Sequence, residues 1–304
     1  MKKNNKNYKK TRNNIIISLI FLFGLSVLLY PTFSDWYYRV ESNQAITDFE
    51  TEKAKLADEE IEQRIALAQA YNDSLKNEIT EDPYDKERID KGIAAYARML
   101  ELRDKIGHVE IPAINVKLPV YAGTSETVLQ MGVGHLEGTS LPIGGNSTHC
   151  VITAHTGLPS AKLFTDLDDL KVGDKFYFHN LKEILAYQVD NISVIEPNDF
   201  SQLLISPGHD YLTLLTCTPY MVNSHRLLVR GHRIPYIAEA EERYIAENET
   251  SFMYRYLFYI ALVVIIVLLF IIRYLRKKKK KAELEMRRMN EAGDMTNRKN
   301  DEQE

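Results

Sequence analysis

Cysteine is scarce in this chain: Cys150 and Cys217 are the only two in 304 residues. Two cysteines are too few for a small disulfide-held scaffold. Cys150 lies in the apolar stretch Cys150-Val151-Ile152, where a free cysteine behaves as a small buried hydrophobe. A bridge to Cys217 is the alternative; without it, Cys217 is left to account for. Histidines and cysteines do not cluster at zinc-ligand spacing, so the local signature of a structural metal site is missing. No internal repeat is visible. The formal net charge is only −4, and no basic stripe runs through the middle, which excludes a nucleic-acid groove. No small-x-small cleavage site follows the first apolar run. The sequence there is the bulky Tyr30-Pro31-Thr32-Phe33-Ser34-Asp35-Trp36, so the run reads as an uncleaved anchor rather than a secretory signal.

What the chain has in quantity is apolar sequence, 45% of its residues, enough for one domain of ordinary size with appendages. Two long runs stand apart from the rest. Residues 15–33 follow six Lys/Arg, and residues 256–272 precede Arg273 and the run Arg276 to Lys281. Each is long enough to span a bilayer. Basic flanks on the outer side of both runs put both termini in the cytoplasm and residues of about 35 to 250 outside. Trp36, Tyr37, Tyr38, Tyr254, Tyr256 and Tyr259 then sit as interfacial aromatics. The expected layout is a basic N-terminus (1–14), an anchor (15–33), a helical segment (34–105), a β-rich domain (106–240), a linker (241–255), a second span (256–272) and a charged tail (273–304).

Between Ser42 and Leu75 there is no Gly or Pro, and Ile46, Phe49, Leu56, Ile61, Ile65 and Tyr71 recur at roughly helical spacing. One amphipathic helix is predicted there. Asp82-Pro83-Tyr84 interrupts it, and a helical pattern resumes over Asp90 to Lys105 with Ile93, Tyr96, Ala97 and Leu100. From Gly107 the character changes to short runs of strand composition bounded by Gly, Pro and Asn. They are Val109 to Ile111, Leu118 to Tyr121, Val151 to Thr153, Lys175 to Phe178, Ile184 to Ile195, Tyr211 to Thr216 and Arg226 to Arg230. Seven or eight strands in about 130 residues predict a closed barrel or a sandwich. Short helical pieces are expected near Glu126 to Met131 and Ser160 to Leu170.

Cys217 ends the run Tyr211-Leu212-Thr213-Leu214-Leu215-Thr216, and Pro219 stops the ladder beyond it. A thiol at a strand exit has access to solvent. After a loop of about seven residues the chain returns at Arg226, so a hairpin would place the arginine on the strand beside the cysteine, about 4.8 Å away. A guanidinium there can lower the thiol pKa and donate to an oxyanion formed when a thiolate attacks a carbonyl. The plainer reading is a surface arginine next to a buried cysteine. His155 also leaves an apolar run, Val151-Ile152-Thr153-Ala154, where it can give a proton to a departing amine. His108, His135, His149, His179, His209, His225 and His232 read as surface or loop-packing residues, with His225 the rival because it adjoins Arg226.

These residues together resemble the sortase family. Thr213-Leu214-Leu215-Thr216-Cys217 matches its TLxTC signature, Arg226 stands nine residues beyond, and Val151 to His155 is similar to the strand that ends in the sortase histidine. The stretch from Thr213 to Gly231, the segment Gly157 to Phe164 and the second apolar run resemble class C, the pilus-assembling branch. Thr156 departs from the basic residue that this branch often carries after its histidine.

The resemblance, which covers residues of about 75 to 275, implies a mainly-β fold: a closed barrel of about eight strands with short helices, preceded by a helical segment. It implies Cys217 as nucleophile, His155 as proton donor and Arg226 as oxyanion partner. The implied substrate is a surface protein with an LPxTG-like sorting signal cut between Thr and Gly. The acceptor amine is a lysine of the next pilin or, in a housekeeping sortase, the peptidoglycan precursor. No metal or organic cofactor is needed. In class C, Asp82-Pro83-Tyr84 would be a lid over the cleft; by its own chemistry it is an interhelical turn. A non-catalytic surface receptor on a β-domain is the reading outside enzymes.

Overall fold

The computed structural model describes residues 2–75, 84 and 96–301. Its centre is a closed barrel. The strands are β1 (Lys105–Ile111), β2 (Val116–Ala122), β3 (Val133–His135), β4 (Thr148–Thr153), β5 (Lys175–His179), β6 (Ile184–Ile195), β7 (Asp210–Thr218) and β8 (His225–Ile234). They close in the order β1-β2-β3-β4-β7-β8-β6-β5. Most neighbours are antiparallel, but β4 runs parallel to β7, and β2 parallel to β3.

Period-two alternation decides what each strand buries. Val109 and Ile111 of β1, Cys150 and Ile152 of β4, Leu212 and Leu214 of β7, and Leu227 and Val229 of β8 join one core with Phe176, Phe178 and Leu185. The intervening residues of β4, β7 and β8 face the other way, where Val151, Leu215 and Leu228 form a second small cluster with Leu136, Ile195 and Leu203. Where strands crowd, only glycine fits. A Cβ on Gly231 of β8 would lie 2.7 Å from the Phe176 ring and 2.9 Å from Tyr187.

The predicted strands all occur, and β6 has the predicted ends; β3 is an addition, too short to leave a pattern. The helical expectations need correction. Helix α1 (Lys2–Lys53) and helix α2 (Asp58–Asp73) replace the single helix expected from Ser42 to Leu75. The break at residues 54–57 has neither Gly nor Pro; the chain turns where Ala57 becomes extended and Asp58, Glu59 and Glu60 begin a new helix, acidic at its positive end. Ser160 to Leu170 yields only a 3₁₀ turn, Leu167–Asp169. Residues 96–100 form turns, Lys105 already begins β1, and 90–95 lie outside the described residues. Helix α3 (Glu126–Met131) matches its prediction, capped by Ser125 Oγ accepting from Val128 N at 3.3 Å.

The lower part of α1 is fastened to the barrel. Phe49 is fully buried, a contribution of about 2 kcal/mol. Tyr38 Oη donates to Met131 O at 2.8 Å, and Lys53 Nζ donates to Asn180 O at 2.8 Å. Helix α2 docks through Asn72, whose amide donates to Leu141 O at 3.2 Å while its carbonyl accepts from Leu141 N at 2.7 Å.

Three histidines expected at the surface are buried: His108, His135 and His149. His135 Nε2 donates to Ser140 O and its Nδ1 pairs with Tyr96 Oη, and His149 bridges Leu204 O and Thr213 Oγ1. Burial pushes both down to about 4, so they are neutral polar struts.

After the barrel strands, helix α4 (Ala238–Asp301) contains the segment Ala238–Arg276, in which an 18-residue window reaches a mean hydropathy of 2.8, long and apolar enough to cross a membrane by length and composition. Among the described residues it is the one such segment; the first apolar run lies within α1, where many side chains are not described.

Candidate active site

Three strand ends meet at one end of the barrel, and register brings the sequence's candidates there. In the β7–β8 hairpin, Cys217 pairs directly with Arg226. In the parallel β4–β7 pair, Thr153 lies opposite Leu215, so two residues further along each chain His155 comes alongside Cys217. Backbone and side-chain bonds continue past the strand end: Ala154 N donates to Leu215 O at 3.3 Å, and Thr216 Oγ1 donates to Ala154 O at 2.8 Å. Parity does the rest. His155 follows Val151 and Thr153, Cys217 follows Leu215, and Arg226 precedes Leu228, so all three belong to the face that turns away from the barrel interior.

Cys217 is buried, 8% exposed, so its place near the strand end does not leave the thiol open to solvent as its sequence position suggests. Cys150 is likewise outside any disulfide, but it sits on the interior side of β4, where burial raises its pKa well above the ordinary thiol range. The two cysteines occupy opposite faces of the sheet and are not bridged. Arg226, 6% exposed, donates from Nη1 to Asn223 O at 3.2 Å and His225 O at 3.1 Å. The loop turns its carbonyls inward because Met221 and Asn223 adopt left-handed backbone, a conformation asparagine tolerates well.

His155 Nε2 is buried without a hydrogen-bond partner among the described residues. Glu126, first residue of α3, brings Oε2 to 3.5 Å, a Coulombic rather than a hydrogen-bonding contact. Burial holds the imidazole below its usual range, and the Glu126 charge opposes that. Glu126 carries no motif, and nothing in the sequence singles it out. The rival His225 alternates to the other face from Arg226; its Nε2 is 3.2 Å from Glu196 Oε1 and its ring is 41% exposed.

Tyr84 covers this group. Its ring lies 5.0 Å from the Arg226 guanidinium carbon and 5.7 Å from the His155 ring, and it packs on the small cluster of Val151, Leu215 and Leu228. Its hydroxyl donates to Ala154 O at 2.6 Å and pairs with Thr153 Oγ1 at 2.7 Å. Burial, and then the neighbouring Cys217, push the phenol pKa up, so it stays protonated. Asp82 and Pro83 lie outside the described residues.

Residues 109–234 match the family model described as "Sortase domain". The chain is 69% identical to sortase C-1 from Streptococcus pneumoniae over 64% of its own length and 100% of that structure, with a TM-score of 0.63. It is 65% identical to a structure titled pilus-related sortase C of Group B Streptococcus, covering 62% of this chain and 97% of that one, TM-score 0.61. Among curated proteins, sortase A of Bacillus anthracis is 26% identical over 224 residues, 72% of this chain and 92% of the relative. A surface receptor with an inert cysteine is thereby set aside. With a barrel, a buried cysteine outside any disulfide and these relatives, the chain belongs to the sortase family and is a cysteine transpeptidase.

Proposed function

We propose that Cys217 is the nucleophile, Arg226 the oxyanion partner and His155 the proton donor and acceptor of a sorting reaction. The carrying observation is the register: Cys217 opposite Arg226 on one side and the continuation of β4 to His155 on the other, all on one face. The Cys217 sulfur attacks the Thr carbonyl of an LPxTG-like signal in a surface protein. Charge that develops on the carbonyl oxygen is met by the Arg226 fork of donors. The Thr–Gly C–N bond breaks as His155 Nε2 protonates the leaving amine, giving a thioester. An incoming neutral lysine amine of a pilin subunit attacks the thioester, gives its proton to His155 and releases Cys217 as the thiolate, restoring the starting thiolate and imidazolium.

The pilin reading is supported by 65% identity to a structure titled pilus-related sortase C and 69% identity to a sortase C-1 structure. Two membrane spans, 15–33 and 256–272, would hold the barrel outside the cell with both termini inside. Tyr84, with Asp82 and Pro83, would be a lid that occupies the site between turnovers, consistent with the Tyr84 ring over Arg226 and His155. Purified enzyme mixed with a pilin carrying the signal should give a high-mass ladder. Thioester formation without a ladder, with transfer to a peptidoglycan precursor instead, would make it a wall-anchoring enzyme.

A further inference from the structure

Away from the cysteine, the outer face of β1 and β5 holds a cluster that no step of the transpeptidation uses. His108 and Glu110 are two residues apart on β1 and therefore share a face. Pairing of His108 with His179 on β5 sets a second imidazole beside them. One donor atom from each of the three lies within 4.8 Å of the others. His179 Nε2 is 3.3 Å from Glu110 Oε2, and helix α1 passes above with Glu50, whose Oε1 is 3.6 Å from His108 Nδ1.

The local hydrogen bonding is incomplete. His108 Nδ1, His179 Nε2 and Glu50 Oε1 are all buried with no hydrogen-bond partner among the described residues, and the His108 side chain is only 3% exposed. Buried polar atoms are nearly always satisfied, and here His108 Nδ1 faces Glu50 Oε1 at 3.6 Å while His179 Nε2 faces Glu110 Oε2 at 3.3 Å, with His108, Glu110 and His179 in one cluster. Lone pairs on imidazole nitrogens and carboxylate oxygens are satisfied together by a cation. Lys117 Nζ lies 3.6 Å from Glu110 Oε2, but it is bonded to none of the three orphan atoms.

We propose that His108, Glu110 and His179, with Glu50 as the fourth donor, form a site for a divalent transition metal of the zinc class that clamps helix α1 to the barrel. Two imidazoles and two carboxylates suit a borderline ion such as zinc and not calcium or magnesium, which take oxygen alone. The ligands must close in. Around tetrahedral zinc, donor atoms stand about 3.4 Å apart, less than the present spread. The two rings are also stacked, with centroids 4.1 Å apart and planes 15° from parallel, whereas imidazole lone pairs lie in the ring plane. Binding therefore tilts one ring, and His179, 15% exposed, has the room. The site joins α1, β1 and β5, residues far apart in sequence, so ligand spacing along the chain gives no hint of it.

The test uses the full-length chain in detergent with Cys217→Ala, so that the active-site thiol binds no metal. Cobalt is titrated and followed by visible absorption, then displaced by zinc. One ion per chain with the intense absorption of tetrahedral cobalt is expected, at least tenfold weaker in Glu110→Gln and in His179→Asn. Glu50→Gln, at a half-exposed helix position that leaves the barrel untouched, should weaken binding by a smaller factor and guards against loss through misfolding. Absence of cobalt absorption, or equal affinity in the parent and all three variants, overturns the site.

Discussion

Replacing Tyr84 should open the active site in steps that its contacts predict. The hydroxyl donates to Ala154 O at 2.6 Å and pairs with Thr153 Oγ1 at 2.7 Å, worth about 1 kcal/mol net each. The ring lies 5.0 Å from the Arg226 guanidinium, a cation–π contact of about 0.5–2 kcal/mol. Its apolar packing on Val151, Leu215 and Leu228 adds about 1–2 kcal/mol. Tyr84→Phe removes only the hydroxyl terms, so the closed state loses about 1–2 kcal/mol. If opening precedes reaction, the rate at which a methanethiosulfonate reagent modifies Cys217 rises about 5–30-fold. Tyr84→Ala removes everything and should raise it about 100-fold or more, with cleavage of a sorting-signal peptide rising in parallel. Cys150, enclosed in the barrel core, supplies no background labelling, which Cys217→Ala verifies. Wild-type labelling and cleavage rates in Tyr84→Ala would refute the argument, since a ring that can be deleted without consequence is not gating the thiol.

Cys217→Ala should abolish thioester and polymer while leaving the thermal unfolding midpoint near that of the parent; residual polymer would remove the nucleophile assignment. Arg226→Lys keeps the charge but not the planar fork of donors, so turnover should fall at least 100-fold with peptide affinity little changed; normal kcat would make Arg226 structural. His155 has its pKa depressed by burial, so if it is the proposed proton donor, its imidazolium is populated only below the usual histidine range and the rate limb it governs should decline as pH rises through that depressed value. Glu126→Gln deletes a charge that raises this pKa, so the NMR midpoint of His155 should move down, and no movement would dismiss Glu126 as a partner. Asn72→Ala orphans both Leu141 backbone groups in a buried contact and should cost about 2–4 kcal/mol in denaturant unfolding, against under 0.5 if the α2 contact is incidental.

Much of this arrangement was legible in the sequence because it depends on local order. Strand composition and a run that stops at Pro219 place Cys217 at a strand end, and the short return to Arg226 can only be a hairpin. His155 was harder. Its position beside Cys217 requires β4 and β7 to be parallel neighbours, a long-range pairing with no local signature; the family resemblance supplied it. The Ser42 to Leu75 helix was misread because its break is set by docking: Phe49 and Lys53 hold α1 on one part of the barrel, Asn72 holds α2 on another, and the chain must turn between. Burial of His108, His135 and His149 was invisible for a similar reason, since a histidine becomes a core residue only when distant carbonyls or hydroxyls satisfy it.

The alternation that fills the barrel also separates the chemistry from the core. On β7, Leu212 and Leu214 point inward while Leu215 and Cys217 do not, and on β4 Cys150 points inward while Thr153 and His155 do not. One thiol is thus held inert by burial in apolar surroundings, and the other lies on the face where Arg226 and Glu126 bring charge. A register slip of one residue in β7 would place Cys217 among the core side chains and turn Thr216 outward. The threonine already resists that slip: Thr216 Oγ1 donates to Ala154 O, in the strand extension that carries His155. Thr153 does the same from the other strand, its Oγ1 donating to Leu215 O at 3.1 Å. The polar residues around the cysteine therefore act on register, and through register on which side of β7 the Cys217 sulfur lies.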